Sequence, residues 1–239
     1  MRTGASGSSA VAGNSGGRLA ARVHEGLKAR LVSGEFPPGG WIRVEAIKQD
    51  FGVSRQPVMD ALRMLQAEGF VEIMPQIGCR AATYSAREVR DFFTMFGGIE
   101  GLIAAAAAGR RTDTQLASLR AVSARIGGLR DLDDVEGRTA SYLELNREFH
   151  AIVYAMADSR VMSQMSKRMW DLSDFLIKST GSRESLSSAL DYRHRDHELM
   201  LAAIEIQDGV TARREPERHI AETAQITHPA KPDSGSGRN

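Results

Sequence analysis

The chain has 239 residues, with 31 Lys and Arg against 30 Asp and Glu and a formal net charge of +1. That length supports two modest domains with separate cores, and the balanced charge excludes readings that rest on bulk electrostatics; a nucleic-acid binder of this kind must concentrate its cations locally. Cys79, the single cysteine, excludes an intrachain disulfide and a Cys-rich zinc site and suits a reducing cytoplasm.

The longest apolar run, Leu102 to Ala108, is mostly alanine. It falls short of the roughly 20 residues that span a bilayer. The N-terminus has no apolar signal core, so a soluble cytoplasmic protein with no membrane partner is expected. Residues 1–17, rich in Gly, Ser and Ala, and residues 227–239, rich in Pro, Gly and Ser, bury too little apolar surface to fold and are expected to be disordered tails.

Between the tails the first domain is expected at residues 18–82. Leu19, Val23, Leu27 and Leu31 mark one face of a first helix, which the run from Gly34 to Gly40 stops. A short helix follows over Val44 to Phe51, then a turn at Gly52-Val53, then a third helix with Ser54 as its N-cap. Val58, Ala61, Leu62 and Leu65 face the core of that helix, leaving Arg55, Gln56, Met59, Asp60 and Arg63 outside. Gly69 caps its C-terminus, and two short strands, Phe70 to Met74 and Cys79 to Ala82, are joined through Pro75-Gln76-Ile77-Gly78.

This order is that of a winged helix-turn-helix, in which a helix end fits the DNA major groove. Arg55 is placed to reach guanine or phosphate, while Ser54 and Gln56 suit phosphate oxygens. Gly78 at the hairpin tip would allow close approach to the backbone, and Arg43, Met59, Arg63 and Gln76 complete the expected DNA-facing set. By pattern alone, Arg55 and Arg63 fit a merely solvated helix face equally well.

The segment Gly52-Val53-Ser54-Arg55-Gln56-Pro57-Val58-Met59-Asp60-Ala61-Leu62 resembles the GntR family of bacterial regulators. Gly34, Pro38-Gly39, Leu65, Glu68-Gly69-Phe70-Val71 and Pro75-Gln76-Ile77-Gly78 carry the same resemblance. It implies DNA binding through a winged helix-turn-helix. Met59 stands where the family has an arginine, and Ile77 stands where the wing often has one. One bidentate arginine contact is worth about 1–3 kcal/mol of discrimination, so the expected operator is unusual or binding is weaker.

After a linker at 83–85, residues 86–226 show helical periodicity throughout, which predicts an all-α bundle. The first helix carries Val89, Phe92, Phe93, Phe96, Ile99 and Ile103, with Gly97-Gly98 as a weak point. Thr112 and Gln115 form a capping box for the second, whose stripe is Leu116, Leu119, Val122 and Ile126, ending at Gly127-Gly128. Further helices are predicted from Thr139 to Ala157, Val161 to Lys178, Ser185 to Gln207 and Val210 to Ala224.

Asn146 and His150 lie side by side on one helix, His194 and His197 share a face of another, and His219 sits on the last. Three histidines from separate helices can hold a divalent metal, although such residues are more often hydrogen-bonded core or surface groups.

Asn146-Arg147-Glu148-Phe149-His150, and Asp196-His197 to Ala203-Ile204 with Asp208 and His219, resemble the FCD ligand-binding domain of the FadR-like GntR subgroup. The resemblance implies a small-molecule effector, a palindromic operator in double-stranded DNA and a homodimer. It places His150, His197 and His219 on metal-ligand positions and Asn146 on an aspartate ligand's position, with zinc, nickel or manganese as the ion. Phe96, Asn146 and His194 are the expected effector contacts.

Phe96 replaces an arginine that would pair with an effector carboxylate, pointing to a different, more apolar effector. Pro216, three residues before His219, is expected to kink the last helix and displace that histidine. Two rivals stand beside this reading. One is a regulator with a degenerate pocket that only dimerises and binds DNA. The other is a metal-dependent hydrolase with Glu148 or Asp196 as base, but Glu148 points away from His150 and no His-Glu-x-x-His arrangement exists.

Overall fold

The computed structural model describes residues 9–179 and 190–227. They divide into two compact units, one up to Thr83 together with Asp174–Ser179, the other Tyr84–Ser173 and the described residues from Leu190 onward.

The first unit opens with α1 (Ser9–Val32), and Val23, Leu27 and Leu31 are buried along its core face. The expected tail at 1–17 is therefore corrected, because the helix already runs from Ser9. Each residue added to a formed helix gains a backbone bond without a new nucleation cost, so a packed segment can carry a Gly- and Ser-rich stretch into helix. Residues 1–8 lie outside the description.

Next come β1 (Trp41–Ile42), α2 (Val44–Phe51), α3 (Arg55–Ala67), β2 (Val71–Met74) and β3 (Gly78–Ala81). Gly52, left-handed at φ 62°, ends α2 and bonds back to its last turn. In α3, Val58, Ala61, Leu62 and Leu65 are buried as the periodicity requires. Ser54 sits at the N-cap, but its side chain makes no capping bond, which corrects the expected role. The sheet has three antiparallel strands in the order β1-β3-β2, with Trp41 opposite Arg80 and Met74 opposite Gly78. β1 was not anticipated, since two residues are too few to display an alternation.

The second unit comprises α4 (Ala86–Arg110), α5 (Asp113–Gly128), a 3-10 turn Leu129–Asp131, α6 (Val135–Ala157), α7 (Arg160–Ser179), α8 (Leu190–Glu205) and α9 (Gly209–Thr227). The last turn of α7 belongs by its packing to the first unit. Capping boxes start α4 at Ser85/Glu88 and α5 at Thr112/Gln115, and Asp134 caps α6, which begins at Val135, four residues before Thr139. The predicted start of α8 at Ser185 lies outside the described residues, as do 228–239 of the predicted tail.

Ile103, Leu119, Ile126, Phe149, Val153, Met200 and Ile204 form one contiguous core. α4 is long and apolar enough by composition to cross a membrane, yet half of its apolar window is buried inside the unit. It reads as a core helix. Nor is Gly97-Gly98 a break: α4 runs unbroken, and a Cβ on Gly97 would lie 3.2 Å from the Glu217 carbonyl oxygen of α9. At Gly101 a Cβ would stand 2.6 Å from the Arg213 carbonyl oxygen. These glycines let two helix backbones meet directly.

Candidate functional site

In the first unit, Ser54, Arg55 and Gln56 are exposed at the N-terminal end of α3, and Met59 is half-buried on the same helix. The Gln56 amide donates to Asp60 Oδ1 at 2.9 Å, and Arg63 Nη1 donates to the same oxygen at 2.7 Å. Asp60 thus draws two of the expected DNA contacts onto itself, while Arg55 remains the exposed cation at the helix start. Arg43 is exposed at the N-cap of α2. Gln76 and Gly78 are exposed in the hairpin turn.

In the second unit the structure gathers imidazoles from three helices. The ring of His197 (α8) lies 5.5 Å from that of His150 (α6) and 5.7 Å from that of His219 (α9), centre to centre. Phe149 stacks on His197 at 4.5 Å. Pro216 does not displace His219: α9 continues through it, and His219 is buried. Bonds on both sides of the proline hold the helix in line, since Glu215 pairs with Arg218 at 2.9 Å and Arg218 and His219 both donate to Asp196.

Each outer imidazole rests on a carboxylate. His219 Nδ1 bonds Asp196 Oδ2 at 2.7 Å, and His150 Nδ1 lies 3.2 Å from Glu100 Oε2. Glu100 is only 2% exposed. It also accepts the Tyr154 hydroxyl at 2.8 Å and the Ser166 hydroxyl, while the Trp170 indole N–H donates to Tyr154. With carboxylates accepting at Nδ1, each ring carries its proton there and keeps its lone pair on Nε2, the arrangement found in metal-bound histidines.

Burial pushes His197 well below the usual imidazole range, and the neighbouring His150, His219, His194 and Arg193 charges add to the shift. Burial also lowers His219, with the Asp196 bond pulling the other way. Burial alone would raise Asp196, but hydrogen bonds from His219 and Arg218 outweigh it and hold the carboxyl low. Neutral imidazoles are the form that ligates metal.

Asn146 Oδ1, His150 Nε2 and both ring nitrogens of His197 are buried without a hydrogen-bond partner. Orphaned buried polar atoms of this kind are uncommon in folded proteins; one nitrogen each from His150 and His197 and the Asn146 oxygen make a partial ligand set, which His219 would complete with a third imidazole. Three imidazoles on one tetrahedral zinc place their ring centres about 5 Å apart, slightly closer than here. Correspondingly, no three His, Cys, Asp or Glu side chains among the described residues already converge at ligand distance. The chemistry of the set fits an ion.

The other expected contacts separate. Phe96 is buried and meets Trp170 edge-on at 5.5 Å, and Trp170 in turn lies 4.9 Å from His150. His194 is turned toward α5, where a Cβ on Gly127 would lie 2.9 Å from its Nε2, and it faces Glu198 at 3.4 Å. That is a helix-packing position. Sequence reasoning missed Glu100 with its Tyr154, Ser166 and Trp170 partners, and Arg193, buried one turn before His197. A carboxylate inside the apolar stretch Phe96 to Ala108 was the available signal, because buried carboxylates need partners.

Residues 19–80 match the bacterial regulatory proteins of the gntR family, and residues 91–222 match the FCD domain. The HTH-type transcriptional repressor GlaR of Escherichia coli (strain K12) is 26% identical over 195 residues, covering 81% of this chain and 89% of its own. The HTH-type transcriptional repressor RspR of the same strain is 26% identical over 211 residues, covering 85% and 86%. Among solved structures, E. coli McbR/YncC superposes with a TM-score of 0.69 at 20% identity, over 87% of this chain and 96% of that one, a likeness of fold. Its relatives are transcription regulators, which removes the hydrolase reading. With a gntR-type segment followed by an FCD domain over more than half its length, this chain belongs to the gntR family of bacterial regulatory proteins, in the branch that carries an FCD domain.

Proposed function

We propose that the protein is a transcriptional repressor that binds a palindromic site in double-stranded DNA as a homodimer, and that an organic-acid effector in the imidazole cluster sets its affinity. The single observation that carries the effector site is the group of buried, unpartnered donors on Asn146, His150 and His197. The names of the relatives, both repressors, support the sign of regulation. Such a protein works in the bacterial cytoplasm, where its DNA lies.

On the DNA side, Arg55 at the start of α3 reaches a guanine edge or a phosphate, and Ser54 contributes a hydroxyl to the backbone. Gln56 and Arg63 join when they exchange Asp60 for DNA. Two copies related by a twofold axis present two such helices, which matches a palindrome.

On the effector side, His150, His197, His219 and Asn146 would hold zinc, or nickel or manganese in its place. The ion would offer an open coordination position to a carboxylate. Asn146 is neutral, so the ligand set leaves the ion's charge largely uncompensated and favours an anionic effector. Glu100 and Asp196 fix two of the rings by their Nδ1 atoms, Phe96 and Trp170 close one side, and Arg193 adds positive field. To switch the regulator, the effector must bind one conformation more tightly than another; couplings of about 1–3 kcal/mol are typical.

The test is elemental analysis of the tag-free protein beside a His150→Ala/His197→Ala variant, followed by gel-shift titration with and without a chelator. Near-stoichiometric metal that the variant loses, and DNA affinity that responds to organic acids only in the loaded protein, are expected. Metal-free protein that takes up no zinc yet still shifts DNA would favour the effector-independent reading.

A further inference from the structure

The hairpin of the first unit ends in apolar surface. Ile77 is 70% exposed at its tip and Trp41, on the adjoining strand β1, is 56% exposed. The two are linked through Gly78: a Cβ there would lie 3.1 Å from Trp41 Cζ3, so the indole ring covers the glycine backbone beside Ile77. The turn itself is well defined. The Ile77 N–H bonds the Met74 carbonyl at 3.1 Å, Pro75 occupies the second turn position, and Gln76 is left-handed at φ 64°. This is the geometry of a type II turn, and it fixes the direction in which the chain delivers Ile77.

Charge is absent from the tip. Met74 to Cys79 contains no ionisable side chain except the buried thiol. The first cation along β3, Arg80, is engaged by Glu72, its Nε and Nη2 donating to the one oxygen Oε2 at 2.8 and 2.6 Å. A wing that grips phosphate does so with cations, and this one offers none at its end. Yet β2 begins directly after α3 and packs on it, so the tip belongs to the same small DNA-binding unit as Arg55.

Resting on the DNA-binding reading above, we infer that the wing tip is an apolar wedge: Ile77, buttressed by Trp41, enters the DNA minor groove and packs on sugars and base faces. Apolar side chains used in this way part a base step and bend the duplex. Selection at that position then follows how easily the step deforms, which favours pyrimidine–purine steps such as TA and CA, without any base-edge hydrogen bond. Trp41 acts as the positioning residue, keeping the tip rigid enough to transmit the contact.

The experiment uses the full chain and an operator that the wild type selects from random duplexes, end-labelled for energy transfer. Wild type, Ile77→Ala, Ile77→Arg and Trp41→Ala are compared for affinity, bend and salt dependence, with thermal melts to verify folding. Ile77→Ala is expected to bind on the order of tenfold more weakly and bend the duplex less, with an unchanged salt slope. Ile77→Arg should recover affinity with a slope steeper by about one. Ile77→Ala that binds and bends like wild type overturns the wedge, as does an effect of that variant on sedimentation in place of DNA affinity. Failure of the wild type to select any duplex would instead overturn DNA binding itself, and the wedge with it.

Discussion

His219 of α9 donates its Nδ1–H to Asp196 of α8 across 2.7 Å, in an interior where neither residue is more than slightly exposed. The bond selects one tautomer and ties the last helix to the one before it. Arg218, the preceding residue, holds the other carboxylate oxygen, so Asp196 is fully engaged.

Asp196→Asn keeps the shape but withdraws the negative acceptor from His219. Outer partners of ligating histidines typically account for 10- to 100-fold in metal affinity, and a loss of about that size is expected. Competition with a chromophoric chelator measures it. Unchanged zinc affinity would mean that His219 is not a ligand.

Gly98 and Gly101 are three residues apart on α4 but have opposite surroundings. A Cβ on Gly98 meets nothing within 4 Å, whereas on Gly101 it meets the Arg213 carbonyl oxygen at 2.6 Å. Gly98→Ala should stabilise by up to about 1 kcal/mol through helix propensity. Gly101→Ala should destabilise by about 1–3 kcal/mol, because backbone must move. Urea titrations of the two variants give the comparison, and equal midpoints would contradict it.

Ser85 and Ser54 occupy the same position relative to their helices and differ in use. The Ser85 side chain closes a capping box with Glu88, while that of Ser54 bonds nothing in its helix. Ser85→Ala is expected to cost about 1 kcal/mol and Ser54→Ala only a few tenths. Should Ser54→Ala weaken DNA binding while leaving the melt unchanged, its hydroxyl serves phosphate.

The Cys79 thiol, buried in β3, is pushed up from 9.0 to about 11 by loss of solvation. Burial favours the neutral thiol, so the native state holds its proton more tightly than the unfolded chain. This contribution to stability is complete below pH 9.0 and disappears as the pH rises toward about 11. A disulfide reagent at pH 8 should label the native protein slowly and the denatured protein at once. Rapid native labelling would mean that β3 opens readily.

Periodicity made most of the architecture legible. The α3 stripe of Val58, Ala61, Leu62 and Leu65 and the α5 stripe of Leu116, Leu119, Val122 and Ile126 were readable because one side of each helix is apolar and the other is not. The histidines could be named but not assembled, since a register of 3.6 residues says nothing about which helices adjoin. Their supports were hidden for the same reason: Glu100 and His150 are far apart in sequence, and only the packing of α4 on α6 joins them. The strain of Pro216 is a local property, whereas Glu215, Arg218 and Asp196, which pin the helix around it, come together only in the fold. Trp41 gave no signal, because what makes it notable is a glycine on another strand.

The backbone approach at Gly97 and Gly101 bears on how the second unit can rearrange. Helices that meet through side chains can shift by exchanging rotamers, but α4 and α9 abut main chain to main chain and have little such slack. They should travel together as a single spar that carries Glu100 at one end of the imidazole cluster and His219 at the other. Any stroke that an occupant of the cluster produces must then be taken up by α6 and α8, which meet this pair through side chains, His150 on Glu100 and Asp196 on His219.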